Sequence, residues 1–147
     1  MMNNLPITGI LALYFQKNAS RFALEQVFLY GSRSQGLSRP DSDLDIAVVF
    51  SAEIEENVAF AKITEMSLEL NHVVGLEVNV LQLTRDFRHP MLYYNAIVHG
   101  IPLFIVNQTE HIDLKLEALR EMEDFSLFGI GWQLTAARKN LEAITHG

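Results

Sequence analysis

The chain has 147 residues, 49% of them hydrophobic and 20% charged, with a formal net charge of −7. That length and composition point to one globular domain with enough interior to bury a core unaided. The absence of cysteine excludes a disulfide framework, thiolate zinc sites and a cysteine nucleophile, and 18 acidic residues against 11 basic ones argue against direct nucleic-acid binding, which calls for a basic face.

The N-terminal stretch MMNNLPITGILALYF has no basic start and no small-residue cleavage site, so it does not read as a signal peptide. No apolar run reaches membrane-spanning length. The expected location is the cytoplasm. Ile7 to Phe22 reads as a helix, with Pro6 at its entry and Ile10, Leu11, Tyr14, Phe15 and Phe22 as an apolar stripe. Gln26 to Tyr30 is an apolar β-type run without alternation, as expected of a strand covered on both faces.

Gly31 to Ser42 is a loop by composition, and Leu44 to Phe50 is a second strand. Ser51 to Asn71 reads as a helix, with Ser51 as its cap, Glu53, Glu55 and Glu56 near the positive end of its dipole, and Val58, Ile63, Met66, Leu68 and Leu70 supplying apolar contacts. Leu76 to Leu83 is a third strand. Leu76, Val78 and Val80 share one face, Glu77 and Asn79 lie on the other, and Leu81 and Leu83 change phase.

After His89-Pro90 a helix is expected up to about His99, ending at Gly100. Ile101 to Val106 follows as an edge strand because of Pro102. From Thr109, a possible cap, the chain reads as helical, with Ile112, Leu116, Leu119 and Met122 at helical spacing. FSLFGIGW (Phe125–Trp132) interrupts this helix, and a last one runs from about Gln133 to Ile144. This order is an α/β or α+β pattern. The connection between the first two strands is too short for a crossover helix, so they should pair antiparallel within a mixed sheet.

The chemistry concentrates in Tyr30–Phe50, YGSRSQGLSRPDSDLDIAVVF. Asp43 and Asp45 stand at i and i+2, so strand alternation carries both carboxylates to one face. A divalent cation relieves their repulsion, and two carboxylates with substrate phosphates and water make a typical magnesium environment. Gly31 allows close approach of backbone to a ligand, and the N–H groups after it, with the Ser32 hydroxyl, suit phosphate oxygens. Arg33 and Arg39 are near enough in sequence to add charge-assisted contacts. A phosphate cradle beside a metal-binding carboxylate pair implies phosphoryl or nucleotidyl transfer.

This segment resembles the signature of the polymerase-β-like nucleotidyltransferase superfamily, whose small bacterial members carry Gly-Ser, ten residues and Asp-x-Asp. The chain is similar to minimal nucleotidyltransferase (MNT) antitoxins of HEPN/MNT toxin–antitoxin pairs over most of residues 8 to 106. The resemblance implies a nucleotidyltransferase fold, a small mixed sheet flanked by helices, in a single domain over 1–147 with a helical extension from about 109. It implies ATP held at Gly31, Ser32 and Arg33, magnesium on Asp43 and Asp45 as the catalytic pair, and transfer of AMP to a tyrosine hydroxyl of a partner HEPN ribonuclease toxin. The superfamily's usual third carboxylate is replaced here by Asn79, with Glu77 two residues earlier as a possible substitute. Two alternatives follow: an antitoxin that neutralises by binding alone, and a small-molecule nucleotidyltransferase of the aminoglycoside-modifying type.

Arg85 and Arg88 are candidates for phosphate or partner contacts, although exposed arginines usually serve neither. No histidine spacing indicates zinc. The Phe125–Trp132 cluster reads as core or as a partner-facing surface.

Overall fold

A computed structural model of the chain describes residues 6–31, 43–86, 88–124 and 138. Helix α1 (Ile7–Phe22) leads into strand β1 (Leu24–Tyr30), and β2 (Leu44–Phe50) is followed by helix α2 (Glu56–Val74) and strand β3 (Val78–Gln82). Helix α3 (Pro90–Tyr93) widens into a π-helical turn over Tyr94–Val98, and strand β4 (Ile101–Ile105) follows. Residues 108–124 form helix α4. The four strands make one sheet in the order β3-β2-β1-β4.

β1 pairs antiparallel with β2 and with β4, whereas β2 and β3 run parallel, so the sheet is mixed, as expected. Both faces are covered. Leu11, Phe15 and Phe22 of α1 and Met66 and Leu70 of α2 pack on Val27, Leu29, Ile46 and Val48. On the other face Tyr93, Ala96, Ile97 and Ala118 cover Phe28, Ala47 and Val49. This is why β1 and β2 read as unbroken apolar runs. The change of phase in β3 has the same origin. Val78 and Val80 belong to the first layer, Leu81 and Leu83 to the second, and the second layer covers only the distal end of the strand.

Several boundaries differ from expectation. β1 begins two residues earlier, at Leu24, because α1 ends on Ala23 in a left-handed conformation (φ 56°), whose N–H donates to the carbonyls of Ala19 and Ser20. Ser51 does not cap α2. That helix starts at Glu56 after an extended Glu55, and Ser51 instead donates its N–H to the Ala23 carbonyl, tying β2 to the end of α1. Asn107, rather than Thr109, caps α4: its side-chain oxygen accepts the Thr109 N–H at 2.9 Å and the Glu110 N–H at 3.3 Å.

The face α4 turns to the sheet also differs. Ala118 is buried and Leu114 and His111 are partly so, while Ile112, Leu116 and Leu119 are exposed. Val58 and Leu68 of α2 are exposed too. β4 lies at the sheet edge with Pro102 at an irregularity in its register with β1, where a missing N–H is tolerated. The Phe125–Trp132 cluster and the last expected helix lie outside the described residues. Among the described residues no helix is long and apolar enough to cross a membrane.

Candidate active site

Strand alternation and register together build the site. β1 ends at Tyr30, which pairs with Asp45 on β2. Asp45 pairs in turn with Asn79 on β3. The three residues form a row across the sheet on the face that also carries Phe28, Ala47, Val49 and Leu81. Helical cover protects that face near Ala47 and Val49 but leaves Asp45 half-exposed and Asn79 exposed. Polar side chains therefore gather at one end of an otherwise apolar layer.

Asp45 is gripped from both sides. Its Oδ1 accepts a long hydrogen bond, 3.4 Å, from the Asn79 side-chain nitrogen. Its Oδ2 lies only 2.9 Å from where a Cβ would stand on Gly31. Gly31 has φ +79°, a conformation that side-chain-bearing residues rarely adopt. Glycine is thus required here twice, once for the backbone turn and once for clearance beside the carboxylate.

Tyr30 is half-buried, and its hydroxyl is pushed up to about 12, first by burial and then by the neighbouring Asp45 charge. It remains a neutral wall of the site at physiological pH. Asp43 precedes β2 by one residue and is exposed. Two residues of extended chain set it roughly 7 Å from Asp45 along the backbone. Ser32, Arg33 and Arg39, expected to contact phosphates, lie outside the described residues.

Of the two candidates for a third polar position, Asn79 is the one that touches Asp45. Glu77 precedes β3 and is exposed, and its backbone carbonyl accepts the Leu44 N–H at 2.9 Å. Among the described residues no cluster of three or more histidines and carboxylates is assembled. Asp43 and the half-exposed Asp45, two residues apart, would suit magnesium held jointly with substrate oxygens better than an all-protein metal cage.

The two arginines after β3 have structural partners. Arg85 forms an ion pair with Glu25 at 2.6 Å, and the Glu25 side chain is only 6% exposed. Arg88 pairs with Asp86. The Asp86 carboxyl is brought down to about 2, chiefly by the Thr84 hydroxyl and then by Arg88. The same Thr84 hydroxyl lies 2.7 Å from the Tyr93 hydroxyl. Glu25 lies five residues before Tyr30, roughly 16 Å away along the strand, at the opposite end of the sheet from Asp45.

Gln26 is also buried there, its amide oxygen 3.2 Å from His111 Nδ1. Burial, and then the Lys115 charge, lowers the His111 pKa. Sequence reasoning missed both polar contacts, because a glutamate and a glutamine at the start of an apolar strand carry no local sign of a partner 60 or 85 residues away.

The polymerase β nucleotidyltransferase family matches residues 11–109, two-thirds of the chain, and the protein belongs to that family of nucleotidyltransferases. The matched span contains the whole sheet and the Gly31–Asp45 segment. Among solved structures, one chain of a toxin–antitoxin complex with AMP-PNP is 20% identical with a TM-score of 0.61, over 87% of this chain and 94% of that one. A mutant of an MntA–HpeT toxin–antitoxin pair is 21% identical with a TM-score of 0.60, over 89% and 95%. A complex of a tri-AMPylated Shewanella oneidensis HEPN toxin with its MNT antitoxin is 15% identical with a TM-score of 0.55, over 95% and 99%. At these identities the likeness is one of fold. No curated protein matches the chain at a comparable level of significance.

Proposed function

We propose that this protein is an antitoxin that transfers AMP from ATP to a tyrosine hydroxyl of a HEPN-family toxin and so inactivates it. The observation that carries this reading is the placement of Asp45. It is half-exposed at the sheet end, packed against the glycine of the Gly-Ser pair, and two residues after Asp43. The related folds seen with AMP-PNP and with an AMPylated HEPN toxin support the nucleotide and the class of partner.

Asp43 and Asp45 would hold magnesium between them and the triphosphate. Bound magnesium would neutralise charge on the triphosphate and on the departing pyrophosphate. Gly31, Ser32 and Arg33 would hold the phosphates, the glycine by leaving the backbone open to them. The acceptor oxygen forms its bond to the α-phosphorus, the bond from that phosphorus to the bridging oxygen of pyrophosphate breaks, and the hydroxyl proton passes to solvent or to a partner group. Neutral Tyr30 and Asn79 add no charge beside the carboxylates. The helical part from about 109 onward belongs in this reading to the same single domain.

The test is the intact mass of the partner toxin after incubation with this protein, ATP and magnesium. The wild type should add one or more AMP residues, and Asp43→Asn combined with Asp45→Asn should add none. Transfer that persists in the double variant would sink the assignment. Asn79, which offers no basic group, favours a second reading in which the protein neutralises by binding alone. In that case neither protein would change the toxin's mass, and both would silence it at equal concentration.

A further inference from the structure

We propose that Asn79 is a positioning residue that holds Asp45 by its side-chain amide and limits the site to a single divalent cation. The inference rests on the assignment of Asp43 and Asp45 as the cation-binding pair. It starts from the row Tyr30–Asp45–Asn79, fixed by backbone pairing on both sides of β2. A side chain at position 79 is thereby delivered to Asp45 whatever its identity. In this chain it is an amide whose nitrogen lies 3.4 Å from Asp45 Oδ1. Gly31 closes the other side, against Oδ2. Among the described residues, Asp45 thus has a hydrogen-bond donor at Oδ1 and the close-packed Gly31 backbone at Oδ2, which together bias its orientation.

The charge count follows from the same row. Asn79 is an uncharged amide, and Glu77 is exposed ahead of the strand. Among the described residues, the strand position that faces Asp45 directly carries an amide, so a second cation there would lack the protein carboxylate that this position could supply. An amide there donates to Asp45, whereas a carboxylate there would repel it and draw in a cation.

Manganese, used as a spectroscopic substitute for magnesium, tests this without reference to turnover. Paramagnetic resonance titration of the intact protein with manganese, in the absence and presence of a non-hydrolysable ATP analogue, should show one bound ion per chain. Asn79→Asp should raise that number to two, and Asn79→Ala should keep it at one but weaken affinity roughly tenfold, the lower end for loss of a group that orients a metal ligand. Asn79→Ser, which retains a short donor, should recover part of the loss. Thermal unfolding of each variant separates misfolding from site effects.

Two tightly bound ions in the wild type, or unchanged stoichiometry and affinity across all three variants, would overturn the proposal. Asp45→Asn distinguishes the two levels of inference. If it leaves manganese binding intact, the assignment of the carboxylate pair has failed. If it abolishes binding while Asn79→Asp changes nothing, only the role given to Asn79 has failed.

Discussion

Replacing Gly31 by alanine perturbs one contact at the centre of the site, and Gly75 supplies its internal control. Both glycines have positive φ, +79° and +71°. Holding alanine in that region costs about 1–2 kcal/mol, which for a domain of this size is a loss of roughly 3–8 °C in the thermal midpoint. The surroundings differ. A Cβ on Gly75 meets nothing within 4 Å, whereas one on Gly31 comes within 2.9 Å of Asp45 Oδ2. Ordinary contact begins near 3.4 Å, so the carboxylate must retreat by about 0.5 Å, the tolerance within which a catalytic group must be held. Gly31 and Asn79 flank Asp45 from opposite sides, so this retreat turns the carboxylate toward Asn79 and changes the geometry of their 3.4 Å hydrogen bond.

Misplacement by an ångström costs on the order of 100-fold in rate, so Gly31→Ala should lose about tenfold or more in AMP transfer, while Gly75→Ala keeps the wild-type rate. Both should lose similar stability. The assay pairs thermal unfolding with initial rates of label transfer from α-labelled ATP to the partner. Wild-type transfer by Gly31→Ala, at the same stability loss as Gly75→Ala, would refute the idea that packing against Gly31 positions Asp45.

Two further outcomes concern the scaffold. Arg85→Ala strands the buried Glu25 carboxylate and should destabilise the fold by about 1–3 kcal/mol without changing transfer; chemical denaturation should show the loss reduced when Glu25→Gln is added, because a neutral amide is cheaper to bury. Glu69 accepts hydrogen bonds from Tyr14 at 2.7 Å and from Arg21 at 2.6 Å, and its pKa is lowered from the ordinary 4.5, first by Tyr14. The folded state therefore binds this proton less readily than the unfolded chain. The stabilisation is complete above pH 4.5 and is lost as pH falls through the lowered value. Comparison with Glu69→Gln should show about 1 kcal/mol at neutral pH, discounted for partial exposure, shrinking below pH 4.5 in denaturant titrations.

What could be read in advance was local. The spacing of Gly31 and the two aspartates, the unbroken apolar character of Val27–Leu29 and Ile46–Val49, and the short connection that forces β1 and β2 antiparallel all follow from neighbours in sequence. Helix limits were less legible. Ser51 has the chemistry of a cap, yet its N–H is claimed by Ala23, and α2 starts at Glu56 instead. In α4 the exposed Ile112, Leu116 and Leu119 repeat as regularly as a buried stripe does. Periodicity reports that a helix exists, but which face is covered depends on the elements that arrive beside it.

The sequence by itself therefore pointed to phosphoryl or nucleotidyl transfer, because a glycine's dihedral freedom and the two-residue repeat of a strand are properties of a few adjacent residues. Only the tertiary structure decided what surrounds Asp45. Asn79 reaches it from 34 residues away through a parallel register that the packing of the whole sheet enforces. Glu77, its rival two residues earlier, is left in solvent by the same register. Arg85, a plausible phosphate ligand by its place in the chain, is drawn 60 residues back to Glu25, since a buried carboxylate needs a cation more than an exposed arginine needs a ligand.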